Sequence, residues 1–196
     1  PQLEHYVGKK VLVYHGSLSR PRGLLSCIQL IDGIRQNIPE AVLLIIGPPS
    51  APEFMTELKE MAEPLRDAVE FFPWMEHDEL VAYLRRADLG LFLPDPALER
   101  YQKAEPVKYF EYAACRVPVV MSDVPALRTL VEVNENGRVV DPRDMKHACA
   151  EVVCLLQDSA RLALMAEKGR KAFIDRLSWE AVQDRLLAIY RTFESE

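Results

Sequence analysis

The chain has 196 residues, 49% of them apolar and 28% charged, with a formal net charge of −6. That is the composition of a soluble globular protein. The acidic balance argues against nucleic acid as the main partner, because phosphate-backbone binding relies on a basic surface, and leaves room for a local basic pocket for a small phosphate ligand. No apolar run approaches the roughly 20 residues of a membrane span, and no signal-peptide pattern opens the chain. With Pro1 in place of a methionine, the sequence reads as a segment of a longer protein.

Short β-branched runs alternate with helical patterns, which predicts a parallel sheet with crossover helices. Val11 to His15 reads as the first strand and runs into a loop from Gly16 to Gly23. A helix follows, with Leu24, Ile28, Ile31 and Ile34 at helical spacing. Val42 to Ile46 is apolar throughout, as a strand covered on both faces should be; Gly47 ends it and a polar helix runs to about Leu65. Val69 to Phe72 forms a third strand, and Asp78 announces a helix carrying Leu80, Leu84 and Ala87 on one face.

Leu89 to Leu93 makes a fourth strand, stopped by Pro94 and Pro96, and a polar loop spans Asp95 to Glu105. A short helix is expected from about Pro106 to Cys115, since proline suits a first helical turn. Its buried face is expected to be Val107, Phe110 and Ala114, with Lys108 and Glu111 sharing the other face. Val117 to Met121 reads as a fifth strand, and Asn136-Gly137 turns into a sixth, Arg138 to Val140. The remainder is helical. Met145, Cys149, Val152 and Leu156 make one stripe; Trp179, Val182, Leu186, Tyr190 and Phe193 make another, capped by Ser178.

The expected fold is therefore α/β: one Rossmann-like domain over 1–196, a parallel sheet with helices on both faces. The sheet core reaches about residue 157, and a C-terminal helical extension fills 158–196. Cys27, Cys115, Cys149 and Cys154 lack C-x-x-C spacing, so free, mostly buried thiols in a reducing compartment are expected. His5, His15, His77 and His147 are scattered, and no metal site is expected.

Open parallel sheets bind ligands beyond the carboxyl ends of their strands. Three features fall on that rim. The turn from Gly16 to Gly23 offers backbone N–H groups, a helix start and the cations Arg20 and Arg22, which suit a diphosphate; an ordinary strand-to-helix turn with solvated arginines is the alternative. Glu111 could accept hydrogen bonds from a ribose diol and Lys108 could meet a phosphate, or the two could form only a surface ion pair. Phe72-Pro73-Trp74-Met75 could hold a nucleobase, or Trp74 could cap the core or face another domain.

Together these pieces resemble the C-terminal domain of the GT-B retaining glycosyltransferases of family 4, or glycosyl transferases group 1. The resemblance runs the whole length. It is carried by Gly16…Arg22-Gly23, by Ile45-Ile46-Gly47, by Val69 to Trp74 with Ala87-Asp88-Leu89, and most by Lys108-Tyr109-Phe110-Glu111-Tyr112-Ala113-Ala114-Cys115-Arg116-Val117-Pro118-Val119-Val120. Asn136 to Pro142 and Ser178-Trp179-Glu180 complete the order. Ser17 stands where the family has arginine, Lys103 where it has the first of two paired glutamates, and Arg116 where glycine is common.

The resemblance implies one half of a GT-B fold, binding a UDP- or GDP-linked sugar, with an absent N-terminal half of the same chain binding the acceptor. Glu111 would hold the ribose and Arg22 would neutralise the diphosphate. Gly16, Ser17, Arg20, Gly47, Phe72, Trp74, Glu105 and Lys108 would surround the donor. Transfer would proceed with retention, without cofactor or metal, in the cytoplasm or at the inner face of the membrane through the absent half. A non-catalytic interaction domain of the same fold, or a sugar-nucleotide epimerase or phosphorylase of similar architecture, are the competing expectations. A dinucleotide oxidoreductase is disfavoured, because no G-x-G-x-x-G follows a strand.

Overall fold

The computed structural model describes residues 3–193, apart from the Arg185 side chain; residues 194–196 of the expected extension, and Pro1 and Gln2, lie outside the described residues. Six strands form one sheet: β1 (Lys10–His15), β2 (Ala41–Ile46), β3 (Val69–Phe72), β4 (Leu89–Phe92), β5 (Val119–Ser122) and β6 (Gly137–Val140). Every neighbouring pair is parallel, in the order β3-β2-β1-β4-β5-β6. All six residues of β2 are buried, the signature of a strand covered on both faces. The chain reverses its direction of growth between β1 and β4, so a crevice opens there at the strands' carboxyl ends.

The helices are α1 (Leu24–Arg35), α2 (Pro52–Ala62), α3 (His77–Arg86), α4 (Val107–Ala114), α5 (Pro125–Asn134), α6 (Met145–Gln157), α7 (Ser159–Ala172) and α8 (Trp179–Phe193). Packing separates them into layers. α1 meets α2 and α6, while α4 and α5 meet α7. α1 buries Leu24, Ile28, Ile31 and Ile34, as its spacing predicts. Ser178 caps α8, its Oγ accepting from the Ala181 N–H at 3.2 Å.

Four differences from the sequence reading have physical causes. Helix α5 was not anticipated: Thr129, Val131 and Val133 are β-branched and weak helix formers, yet burial of Leu127, Leu130 and Val131 holds it. Strand β5 begins at Val119 because Val117 closes α4. Its N–H donates to the Tyr112 carbonyl at 2.9 Å and that of Arg116 to the Ala113 carbonyl at 3.2 Å, a Schellman ending. Arg116 takes the left-handed position, at φ 61°, which explains why a glycine suits it.

The buried face of α4 is Lys108, Tyr109, Tyr112 and Ala113, not Val107, Phe110 and Ala114; Val107 is 70% exposed. The tyrosines decide this. Tyr112 drives under the sheet, its hydroxyl donating to the Val13 carbonyl (3.1 Å) and the Leu91 carbonyl (3.3 Å), so a buried phenol is fully satisfied. Tyr109 donates to the Leu130 carbonyl at 2.9 Å. Finally, the four thiols are free but unequal: Cys27 is buried, Cys115 and Cys149 half-buried, and Cys154 exposed.

Candidate functional site

A cleft of about 490 Å³ lies at the switch point, lined by His15 at the end of β1 and Gly16 after it, Phe92 at the end of β4, Arg22, and Lys108 and Glu111 of α4. Local backbone rules place each of them. Gly16 donates its N–H to the Ile46 carbonyl at 2.9 Å, and Gly47 donates to the Phe72 carbonyl at 3.0 Å, so the ends of β1, β2 and β3 make one continuous ledge. Gly23 then turns the chain into α1 at φ 79°; a Cβ there would meet the Leu93 carbonyl oxygen at 1.8 Å, so glycine is required. This turn brings Arg22 to the cleft.

Lys108 is the site's most unusual residue. It is 4% exposed, and its Nζ has no hydrogen-bond partner among the described residues. Aromatic faces hold it instead: Nζ lies 3.6 Å from the centre of the Tyr14 ring and 4.7 Å from that of Phe92. Burial drives its pKa well below the ordinary lysine value, and the Arg22 cation adds to that, whereas Cys27 and Glu111 oppose it. The surface ion pair that the spacing allowed is therefore not what forms.

Glu111 is half-buried, and burial pushes its carboxyl above the ordinary range, with His77 and Lys108 pulling it back. His15 Nε2 stands 3.5 Å from Glu111 Oε2. Burial first, then Lys108 and His77, lower the His15 pKa to about 3. The imidazole is thus neutral at pH 7, and the contact is not an ion pair.

The structure sorts the expected site residues. Gly16, Arg22, Lys108 and Glu111 converge on the cleft. Arg20 does not: its guanidinium is exposed, paired with both carboxylate oxygens of Glu57, and lies 5.3 Å over the Phe54 ring. Ser17 is displaced by Ser19, which lines the cleft while the Ser17 carbonyl accepts from the Tyr14 hydroxyl at 3.0 Å. Gly47 is buried in the ledge and does not line the cleft. Phe72 packs on Tyr83 (5.1 Å between ring centres), Trp74 is 63% exposed beside that strand end, and Glu105 points to solvent, so none of the three lines the cleft.

Among the lining residues that the sequence reading did not name are His15, Arg100 and Tyr101. His15 was discoverable, since the last residue of the central strand must face the rim. Arg100 and Tyr101 had no such signal, because they sit in the loop before α4. There Tyr101, only 9% exposed, packs edge-on against Phe92 at 5.5 Å and anchors the loop, and the Arg100 guanidinium lies 5.0 Å over the Tyr101 ring. Other hollows, of about 560 Å³ beside β6 and about 700 Å³ between α1 and α6, lie away from the switch point between β1 and β4.

A doubly wound parallel sheet with a cationic cleft at its switch point defines a Rossmann-like α/β protein of the GT-B kind. The family model of glycosyl transferases group 1 matches residues 1–172, and the chain belongs to that family. It is 26% identical over 183 residues to glycogen synthase of Mycobacterium tuberculosis, covering 93% of this chain and 42% of that protein. With D-inositol 3-phosphate glycosyltransferase of Rhodococcus opacus it shares 32% identity over 155 residues, covering 76% and 33%. Among solved structures, Anabaena HepE in complex with UDP superposes with a TM-score of 0.80 at 20% identity, over 100% of this chain and 51% of that one. The chain therefore spans less than half the length of these curated relatives.

Proposed function

We propose that this chain is the donor-binding half of a glycosyltransferase, moving a sugar from a nucleoside diphosphate sugar to an acceptor with retention and without a metal or cofactor. One observation carries the reading: Arg22, Lys108 and Glu111, from two distant segments, meet in one cleft at the switch point. Family membership and relatives whose names describe sugar transfer support it, as does the UDP bound to HepE.

In this reading Arg22 and Lys108 face the diphosphate, whose negative charge grows as the glycosidic bond breaks. Arg22 supplies a fixed cation in a partly dry cleft, and a diphosphate beside Lys108 would favour the charged form that burial disfavours, so that together they fill the role a metal would otherwise take. Glu111 accepts hydrogen bonds from the ribose diol. The ledge of Gly16 and Gly47 leads toward Phe72 and Trp74, where the base would lie. Acceptor binding falls to an N-terminal half, and domain closure would bring the two substrates together. Cytoplasmic placement, with peripheral membrane contact through that other half, belongs to the same proposal; among the described residues no helix is long and apolar enough to cross a membrane.

Calorimetric titration with UDP and GDP tests the reading. One of them should bind, equally well in EDTA and in magnesium, and at least tenfold more weakly to Arg22→Ala and Glu111→Ala. A folded protein that binds neither would refute it.

A further inference from the structure

The cleft wall is a row of cations and rings. Arg22 lies within electrostatic reach of the Tyr14 hydroxyl. Lys108 Nζ sits between the Tyr14 and Phe92 rings, Tyr101 stands edge-on to Phe92, and the Arg100 guanidinium covers Tyr101. Arg22 and Lys108 line the same part of the cleft and make one pole. Two aromatic rings separate Lys108 from Arg100, which occupies the other end of the row.

Arg100 also lacks an anion. Among the described residues no carboxylate pairs with it, and the acids of its own loop turn elsewhere: Asp95 Oδ1 accepts from the Ala97 N–H at 2.9 Å, and Glu99 and Glu105 are exposed away from the cleft lining. A nucleoside diphosphate sugar carries its two negative charges on the diphosphate, which the pole at Arg22 and Lys108 answers. A third cation farther along answers a charge that a neutral hexose does not have. Its planar fork can donate two parallel N–H bonds to a carboxylate, where a lysine would offer only a point charge.

We infer that Arg100 selects a donor whose transferred sugar carries a carboxylate, a nucleoside diphosphate uronate, over the corresponding neutral hexose. This rests on the donor-binding reading above. Within that reading Lys108, a buried amine without a polar partner that lines the cleft, marks where the diphosphate would anchor and so which way the sugar would extend.

The test compares UDP, UDP-glucose and UDP-glucuronate by calorimetry, with GDP, GDP-mannose and GDP-mannuronate as the parallel set. The uronate is expected to bind at least tenfold more tightly than the hexose on the base that binds. Arg100→Ala should bring the two within threefold while leaving the free diphosphate within threefold of wild type; Arg100 is exposed, so the fold is preserved. Arg100→Glu should invert the preference. Equal affinities for uronate and hexose in the wild type overturn the inference alone, as does an Arg100→Ala variant that weakens diphosphate, hexose and uronate alike. Failure of every nucleotide to bind overturns the donor-binding reading and this inference with it.

Discussion

A Cβ on Gly47 would lie 2.1 Å from the carbonyl oxygen of Gly16, an approach that joins the ends of β1 and β2 backbone to backbone. Gly47 also holds φ at +141°, where side chains are strained. Neither partner has a flexible side chain that could yield. Gly47→Ala should therefore destabilise the fold by about 2–4 kcal/mol, read as a lower urea midpoint, and should weaken nucleotide binding by displacing the ledge. Wild-type stability in this variant would mean the two strand ends can part freely.

Lys108 sets stability against binding. A buried amine with no polar partner carries an uncompensated desolvation cost. Methionine matches its length, and its sulfur packs well on rings such as those of Tyr14 and Phe92. Lys108→Met should raise the melting temperature yet lower affinity for the nucleoside diphosphate at least tenfold. Loss of both stability and binding would instead mark Lys108 as structural.

His15 makes a pH signature. Its imidazole titrates near 6.5 when unfolded but only at about 3 in the fold. Between those values the unfolded chain holds a proton that the native chain does not. The stability linked to His15 is thus complete above pH 6.5 and is lost as pH falls toward 3, by up to about 1.4 kcal/mol per pH unit. Glu111, Lys108 and His77 face the same ring, so the wild type must be compared with a single variant. Urea titrations from pH 7 to 4 should give His15→Gln the shallower decline, and identical slopes would rule out a buried neutral His15.

Two arginines separated by one residue should behave differently. Arg20 is exposed in its pair with Glu57, a contact worth about 1 kcal/mol or less. Arg20→Ala should leave nucleotide affinity within twofold, whereas Arg22→Ala should cost tenfold or more. Equal losses in both variants would contradict the placement of Arg20 outside the cleft.

The strands show why so much of the fold was legible in the chain. Val42 to Ile46 is apolar at every position, and Leu24, Ile28, Ile31 and Ile34 repeat at helical spacing, because burial imposes a periodicity that can be read without coordinates. Glycines at Gly16, Gly23 and Gly47 marked the turns of the rim, and the likeness around Glu111 pointed to the helix that borders the cleft. Helix α5 escaped because its β-branched residues contradict local propensity, and tertiary burial overrides propensity.

The site was decided elsewhere. Spacing puts Lys108 and Glu111 on one helical face, but it says nothing about what stands opposite. Only the packing of Tyr109 and Tyr112 rotated α4 so that Lys108 entered the core between Tyr14 and Phe92, residues of β1 and β4 far away in the chain. The parting of Arg20 from Arg22, and the arrival of Arg100 on Tyr101, have the same origin. Periodicity is a local property that the sequence alone determined here; which charge loses its water depends on neighbours brought from distant segments, and that only the assembled sheet could settle.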